Sequence, residues 1–324
     1  MRATFRPSIL LVTMIALAAA ACTPSTGALG TPATPPATTA PSVAAPSGDL
    51  TPAPSASTGV PSPSGSAVAG SPSPTPSPTD TIIVRAYFIS AASGAAADAK
   101  LVPVLRVVPK TVAVATAAMH ELLAGPDAQL GASASFATTI PTGTRLLGLS
   151  ITNGIATVNL SAEFASGGGS ASMFGRLAQV VYTLTQFSTV QSVVFELDGK
   201  PVTAFSGEGI LLDHPVGRAD YHDQLPAIFV DRPAYGAAIG NPATVSGVAN
   251  VFEAQFRIRL LDATGGVLVD SPVMASCGTG CWGTFSATLP YTVQTPQWGT
   301  LRVYDNSPKD GAPENVVDYP VFLN

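Results

Sequence analysis

Two cysteines separated by three residues stand in the stretch ASCGTGCWG, at Cys277 and Cys281. Paired sulfurs can hold part of a metal site, exchange a redox disulfide, or staple a loop. Zinc takes about four ligands and this stretch offers two sulfurs, which disfavours a metal. A redox motif places two residues between its cysteines, not three. A staple remains, provided the chain folds in an oxidising compartment. Histidine and carboxylate gather in LLDHPVGRADYHDQLP, as Asp213, His214, Asp220, His222 and Asp223. Their spacing matches no zinc signature. The stretch reads instead as a polar junction between folded regions. His120 falls late in a helical pattern, where a cation suits the negative helix end.

A third candidate is EFASGGGSASMF, in which Gly167, Gly168 and Gly169 precede a helix that opens with Ser170 and Ser172. A helix N-terminus attracts anions, but no Lys-Ser/Thr pair follows as in a nucleotide loop. The simpler reading is a helix start capped by Ser170 or Ser172. The alternative is a small-anion or glycan contact. Three glycines are costly unless the backbone turns sharply or something approaches it closely, so this loop is the expected binding surface of the first folded region. Hydrolytic chemistry has little to stand on. There is no G-x-S-x-G elbow. A glycosidase needs two carboxylates across a cleft, and nothing in the sequence brings Glu163, Glu196 and Glu208 together. No catalytic residue, metal or cofactor is expected.

The compartment is set at the other end of the chain. MRATFR supplies Arg2 and Arg6, and SILLVTMIALAAAA runs apolar into small residues just before Cys22. A basic start, a short apolar run and a small-residue cleavage site make a secretory leader. The run is too short to span a bilayer, which takes about 20 apolar residues. AAAC resembles a lipobox, with Cys22 the residue that would carry lipid and hold the chain on the outer membrane face. Its Ala19 stands where the pattern usually has an aliphatic residue, and plain cleavage that leaves a free thiol is the alternative. Residues 22–80 are dominated by Pro, Ser, Thr, Ala and Gly, and residues 23–79 hold no aromatic. Such a segment cannot bury enough apolar surface to fold and is expected to be a disordered tether. The whole chain has only 11% charged residues and a net charge of −5. Removal of the leader leaves it more acidic. An acidic chain without a basic patch argues against a nucleic-acid partner.

These candidates must be positioned by two different kinds of region. From Thr81 the pattern mixes strands and helices. TIIVRAYFI and LVPVLRVVP read as strands. Lys110–Pro126 reads as a helix with Val112, Ala115, Met119 and Leu122 on one face. Thr144–Ser161 reads as a hairpin about Asn153-Gly154. Ser170–Phe187 reads as a helix striped by Met173, Leu177, Val180, Val181, Leu184 and Phe187. Val190–Val202 is a hairpin about Asp198-Gly199. That is an α+β domain, helices on a mainly antiparallel sheet. From Leu225 every run is a short strand with turn signals between, which reads as an all-β immunoglobulin-like sandwich. In FEAQFRIRLL, the residues Phe252, Ala254, Phe256, Ile258 and Leu260 are expected to share the buried face. GVLVDSPVMAS and TFSATLPY look like a hairpin closed by Gly278-Thr279-Gly280. Cys277 and Cys281 would then face each other at about 4.5–5.5 Å between Cα atoms and present Trp282 at the tip.

LLAGP, the long stretch TTIPTGTRLLGLSITNGIATVNLSAEFASGGGSASMFGRLAQVVYTLTQFSTVQSVVFELDGKPV, and RADY together resemble the GerMN domain, the sporulation and spore germination GerM type. VSGVANVFEAQFRIRLLDATGGVLVDSPVMASCGTGCWGTFSATLPY and GTLRVYDNSPKDG resemble the Gmad2 immunoglobulin-like domain found beside it. The resemblance spans residues 81–324. The expected organisation is a signal peptide over 1–21, the tether over 22–80, a GerMN-like domain over 81–222 and a Gmad2-like domain over 223–324. The family implies exported, often lipid-anchored envelope proteins with no established enzyme activity. The expected function is a membrane-tethered extracytoplasmic binding or scaffold module, with an envelope protein or the cell wall as partner. An oligomer formed through the GerMN-like domain is a further possibility. The reading from another class is an envelope enzyme acting on peptidoglycan.

Overall fold

The computed structural model describes residues 80–90, 100–126, 136–207 and 209–324, all within one compact unit, Pro72–Asn324. The leader, Cys22 and nearly all of the tether lie outside the described residues, as does Glu208.

The N-terminal region is an α+β fold. Strand β1 (Thr81–Ser90) pairs antiparallel with β2 (Lys100–Pro109), Thr81 opposite Pro109 and Ser90 opposite Lys100. Helix α1 (Val114–Ala124) follows, and the short β3 (Phe136–Ala137) pairs with the end of β1. A second sheet runs β4-β5-β6-β7, built from β4 (Leu146–Thr152), β5 (Ile155–Leu160), β6 (Ser192–Leu197) and β7 (Lys200–Pro201). Asn153-Gly154 and Asp198-Gly199 close its two hairpins, and all four residues take the positive φ such turns need. Helix α2 (Ser170–Leu184) crosses from β5 to β6 and makes that one pair parallel. A two-stranded ribbon, β8 (Ala204–Phe205) with β9 (Ile210–Leu211), leads to a 3₁₀ segment, Arg218–Gln224.

Helix α1 departs from its expected bounds. It starts at Val114, so Val112 lies before it and is fully exposed, while Ala118, Met119 and Leu122 make the buried face. Gly125 stops the helix at φ +90°, its N–H bonded to the Leu122 carbonyl at 3.1 Å.

The C-terminal region is all β. Its strands are β10 (Ile228–Arg232), β11 (Ala238–Ile239), β12 (Ala243–Ala249), β13 (Gln255–Leu261), β14 (Val267–Met274), β15 (Gly283–Leu289), β16 (Gln297–Asn306) and β17 (Pro313–Leu323). They form a three-stranded sheet, β10-β12-β15, and a five-stranded sheet, β11-β17-β16-β13-β14. The sheets face each other, with Phe256 of β13 edge-on to Phe285 of β15 at 4.8 Å. Phe256, Ile258 and Leu260 alternate inward as expected, but Phe252 does not join them. Residues 252–254 form a 3₁₀ turn before the strand starts, which leaves Phe252 exposed.

The expected cysteine hairpin is also corrected. Strand β14 pairs with β13 in one sheet and β15 with β12 in the other. The CGTGC segment is therefore a crossover from sheet to sheet. One contiguous cluster of buried side chains, from Ala86 to Leu323, takes in both regions.

Candidate functional site

Where the two regions meet, the sequence places a carboxylate inside an apolar strand. Strand β10 reads Ile228, Phe229, Val230, Asp231, Arg232. Val230 pairs with Gly247 and Arg232 with Ser246, so Asp231 is the extra residue of a β-bulge. Bulges re-aim a side chain, and this one turns Asp231 toward the α+β region. There it accepts a short hydrogen bond from the Tyr87 hydroxyl of β1 and pairs with Arg218 at 3.2 Å and Arg85 at 3.8 Å. Arg218 spends its other donors nearby. Its Nε bonds Thr185 Oγ1 at 2.9 Å and its Nη2 bonds the Tyr87 oxygen at 3.1 Å. The guanidinium also lies 4.7 Å from the Tyr182 ring centre. Phe229 completes the cluster between Tyr87 and Tyr182, at 6.5 and 5.7 Å.

The electrostatics follow from this geometry. Burial works to raise the Asp231 pKa, but Arg218 and Arg85 outweigh it and hold the carboxyl below its ordinary range. Burial, with Asp231 beside it, pushes the Tyr87 phenol far above its usual value. Tyr87 is therefore a permanent donor and Asp231 a permanent acceptor. The cluster is a closed charge network at the seam.

A cleft of about 270 Å³ opens beside this network. Ser246, Gly247 and Val248 of β12 line one side, and Tyr182, Arg218 and His222 line the other, with Phe229, Asp231 and Phe285 completing it. Burial holds the His222 imidazole below its ordinary pKa in spite of Asp223 and Asp220, so the ring is neutral at pH 7. Its ring packs against Trp282 at a tilt of 38°, centroids 4.9 Å apart. Among the described residues, neither the His222 ring nitrogens nor the Ser246 hydroxyl has a hydrogen-bond partner.

The sequence candidates sort around this site. Cys277 and Cys281 are disulfide-bonded, with Cα atoms 6.0 Å apart. Their loop is anchored on residues 250–253, through Thr279 N–H to the Val251 carbonyl and Gly280 N–H to Asn250 Oδ1, each at 2.9 Å. Gly278 is required there, since a Cβ would sit 2.4 Å from the Ala254 nitrogen. The loop carries Trp282 to His222, so the half-buried Trp282 braces one wall of the cleft rather than capping a hairpin tip.

The glycine loop lies elsewhere, and it cradles the chain's own cation. Arg176 is 2% exposed and donates to the carbonyls of Phe164, Ser166 and Gly167 at 2.6, 3.0 and 3.0 Å. Its Nη2 also meets Ser172 Oγ at 3.1 Å. Gly168, at φ +82°, lets the chain fold over this group, and a Cβ there would stand 2.7 Å from Ser172 Oγ. The N-cap of α2 is Gly169, and no side-chain hydrogen bond caps the helix. The expected serine cap is thus replaced: Ser170 is already the first helical residue, and Ser172 serves Arg176.

Of the histidine and carboxylate cluster, Asp213 and His214 form an exposed pair at 2.8 Å. Asp220 accepts the Gly217 N–H at 2.7 Å and starts the 3₁₀ segment. Among the described residues no group of three or more His, Cys, Asp or Glu could hold a metal ion, and no helix is long and apolar enough to cross a membrane. Reading the sequence missed Tyr87, Arg218, Asp231 and Ser246. The one available sign was Asp231, a carboxylate ending the apolar run AIFV directly before Arg232.

Comparison with known proteins agrees with this two-part layout. A family model described as sporulation and spore germination, Germane, matches residues 85–203. One described as the immunoglobulin-like domain of bacterial spore germination, Gmad2, matches residues 227–312. No curated protein matches the chain. Among solved structures, the chain is similar to the first GerMN domain of the sporulation protein GerM from Bacillus subtilis, at 23% identity and a TM-score of 0.36, covering 43% of this chain and 99% of that one. It is also similar to the tandem GerMN domains of the same protein, at 16% identity and a TM-score of 0.37, covering 75% of this chain and 61% of that one.

Proposed function

We propose that this chain, a GerMN-type domain followed by a Gmad2 immunoglobulin-like domain, is a non-catalytic binding and scaffold protein of the bacterial envelope. The observation that carries this reading is the paired charge at the seam. The cleft's one carboxylate, Asp231, is neutralised by Arg218 and Arg85 and bonded to Tyr87. A general acid must hold a proton near neutral pH and a general base must be free to take one. Asp231 is held below the ordinary carboxylate range and Tyr87 far above neutrality. What is left is the neutral His222 ring and the Ser246 hydroxyl with no unpaired carboxylate beside them in the cleft lining, hydrogen-bonding groups that suit a binding site.

A second surface supports the same reading. On the outer face of the first hairpin, Ile83 and Val107 are direct cross-strand partners and each is 65% exposed. The pair is a small exposed apolar surface and a candidate contact. An envelope protein is the partner they fit. A photo-crosslinker at position 107 of the full chain tests this in intact cells. Specific adducts that disappear with Ile83→Ser support the reading, and adducts no different from those at exposed Asn306 contradict it.

The tether and Cys22 belong to the same proposal. Lipid on Cys22 would place the folded part outside the membrane at the end of a Pro/Ser/Thr-rich spacer. Mass spectrometry of the N-terminal peptide tests it. A diacylglyceryl mass on Cys22 that is lost in Cys22→Ser is expected, and a free thiol there contradicts it. A disulfide between Cys277 and Cys281 fits the same oxidising location.

A further inference from the structure

We infer that the cleft at the seam binds one uncharged N-acetylated sugar residue of a wall glycan, held by His222 and Ser246 with apolar contact from Val248 backed by Phe229. This rests on the binding reading above and names the ligand of that same site. Three observations carry it. The first is charge. Asp231 and Arg218 line the same cleft 3.2 Å apart, Arg85 stands 3.8 Å from Asp231, and Asp220 and Asp223 act on His222, so charges of both signs surround it. An anionic ligand would meet Asp231 and a cationic one Arg218, each at short range where a low dielectric strengthens repulsion. The ligand that suits the cleft carries no charge.

The second is unspent hydrogen-bonding capacity. The His222 ring nitrogens and the Ser246 hydroxyl have no partner among the described residues, although both residues line the cleft. A neutral imidazole offers one donor and one acceptor, and a hydroxyl offers both. That pairing fits hydroxyl and amide groups, which are themselves donor and acceptor together. The third is shape. The cleft, at about 270 Å³, lies just under the about 300–1,000 Å³ usual for ligand sites. It has room for one ring of a longer polymer. Val248, backed by the buried Phe229, gives an apolar contact suited to an acetamido methyl, and the His222 ring, held by Trp282 behind it, forms a side wall.

The test is titration of the full-length chain with the N-acetylglucosamine trimer, beside cellotriose, which lacks the acetamido groups, and inorganic phosphate. Weak binding is expected for the trimer, in the range of a 1 mM Kd, about −4 kcal/mol. Ser246→Leu should fill the cleft and weaken binding at least tenfold with the melting temperature unchanged. His222→Ala serves as the second variant should the first fail to fold, and it too should weaken binding several-fold. The inference is overturned if the trimer does not bind, if phosphate or cellotriose binds as well as the trimer, or if both variants bind like the parent. Sedimentation with purified wall sacculi separates this inference from the broader one. Equal sedimentation of parent and Ser246→Leu retains a wall-binding protein and removes the cleft as its site.

Discussion

At the scale of single residues, the seam is held by Asp231 and its three partners, Tyr87, Arg218 and Arg85. Tyr87→Phe removes the hydroxyl that donates to Asp231 and accepts from Arg218. A polar group left unpaired in such a setting costs about 1–3 kcal/mol, and urea unfolding should show a loss of that size. The same cluster sets an acid limb. The Asp231 carboxyl has a lower pKa folded than unfolded, so the unfolded chain takes up its proton first. Its stabilising contribution is complete above the ordinary carboxylate range, near about pH 3.9, and fades as the pH falls through that range. Stability measured at pH 7 and pH 3 should therefore fall less in Asp231→Asn than in the parent. An equal fall in both would mean that the network contributes nothing to acid sensitivity.

At the scale of elements, helix α2 explains how the first sheet is closed. From Gly175 to Leu184 every residue of α2 is buried, polar ones included. Gln179 donates to the Tyr87 carbonyl at 2.9 Å and accepts from the Thr139 N–H at 2.9 Å. Thr183 accepts the Tyr87 N–H at 3.2 Å, and Gln186, just past the helix, bonds both polar groups of the Arg85 backbone. These side chains cap the open edge of β1 as a neighbouring strand would. Gln179→Ala leaves buried groups unpaired on β1 and at Thr139, and should cost about 3 kcal/mol in chemical unfolding. Loss of the Cys277–Cys281 bond should cost about 2 kcal/mol by the entropy of so short a loop, and should change the fluorescence of Trp282 as its brace on His222 loosens. A reduced protein that is as stable as the oxidised one, with unaltered fluorescence, would contradict that role. Much of this level was legible in the sequence. The Asn153-Gly154 and Asp198-Gly199 turns and the stripe of α2 from Met173 to Leu184 are local patterns and stand as read, while Phe187 falls past the helix end at Leu184. The stripe also hid what mattered, because Gln179 and Thr183 look like the wet side of an amphipathic helix. Only the tertiary position of β1 makes them buried partners. The cysteine loop misled for a similar reason: two strands adjacent in sequence look like a hairpin, while a sandwich is free to send them to opposite sheets.

At the scale of the whole molecule, the two regions are one mechanical body. The Tyr235 N–H bonds the Pro103 carbonyl at 2.9 Å, extending the β2 edge into the sandwich, and the Phe136 ring meets the Tyr235 ring at 4.7 Å. With a buried cluster common to both regions, the folded part should unfold in a single transition, with calorimetric and van't Hoff enthalpies equal. Two separated transitions would mean independent domains and a seam too weak to build a site. The seam could not be read from the sequence, because Tyr87, Arg218 and Asp231 are up to 144 positions apart and no local pattern links them. The central claim is that this body binds envelope material and does not transform it. Its most direct test is incubation of the purified full-length chain with cell-wall sacculi, measuring both sedimented protein and released soluble fragments. Sedimentation is expected, with no release of fragments above a heat-denatured control. Release of wall fragments that stops on Asp231→Asn substitution would contradict it.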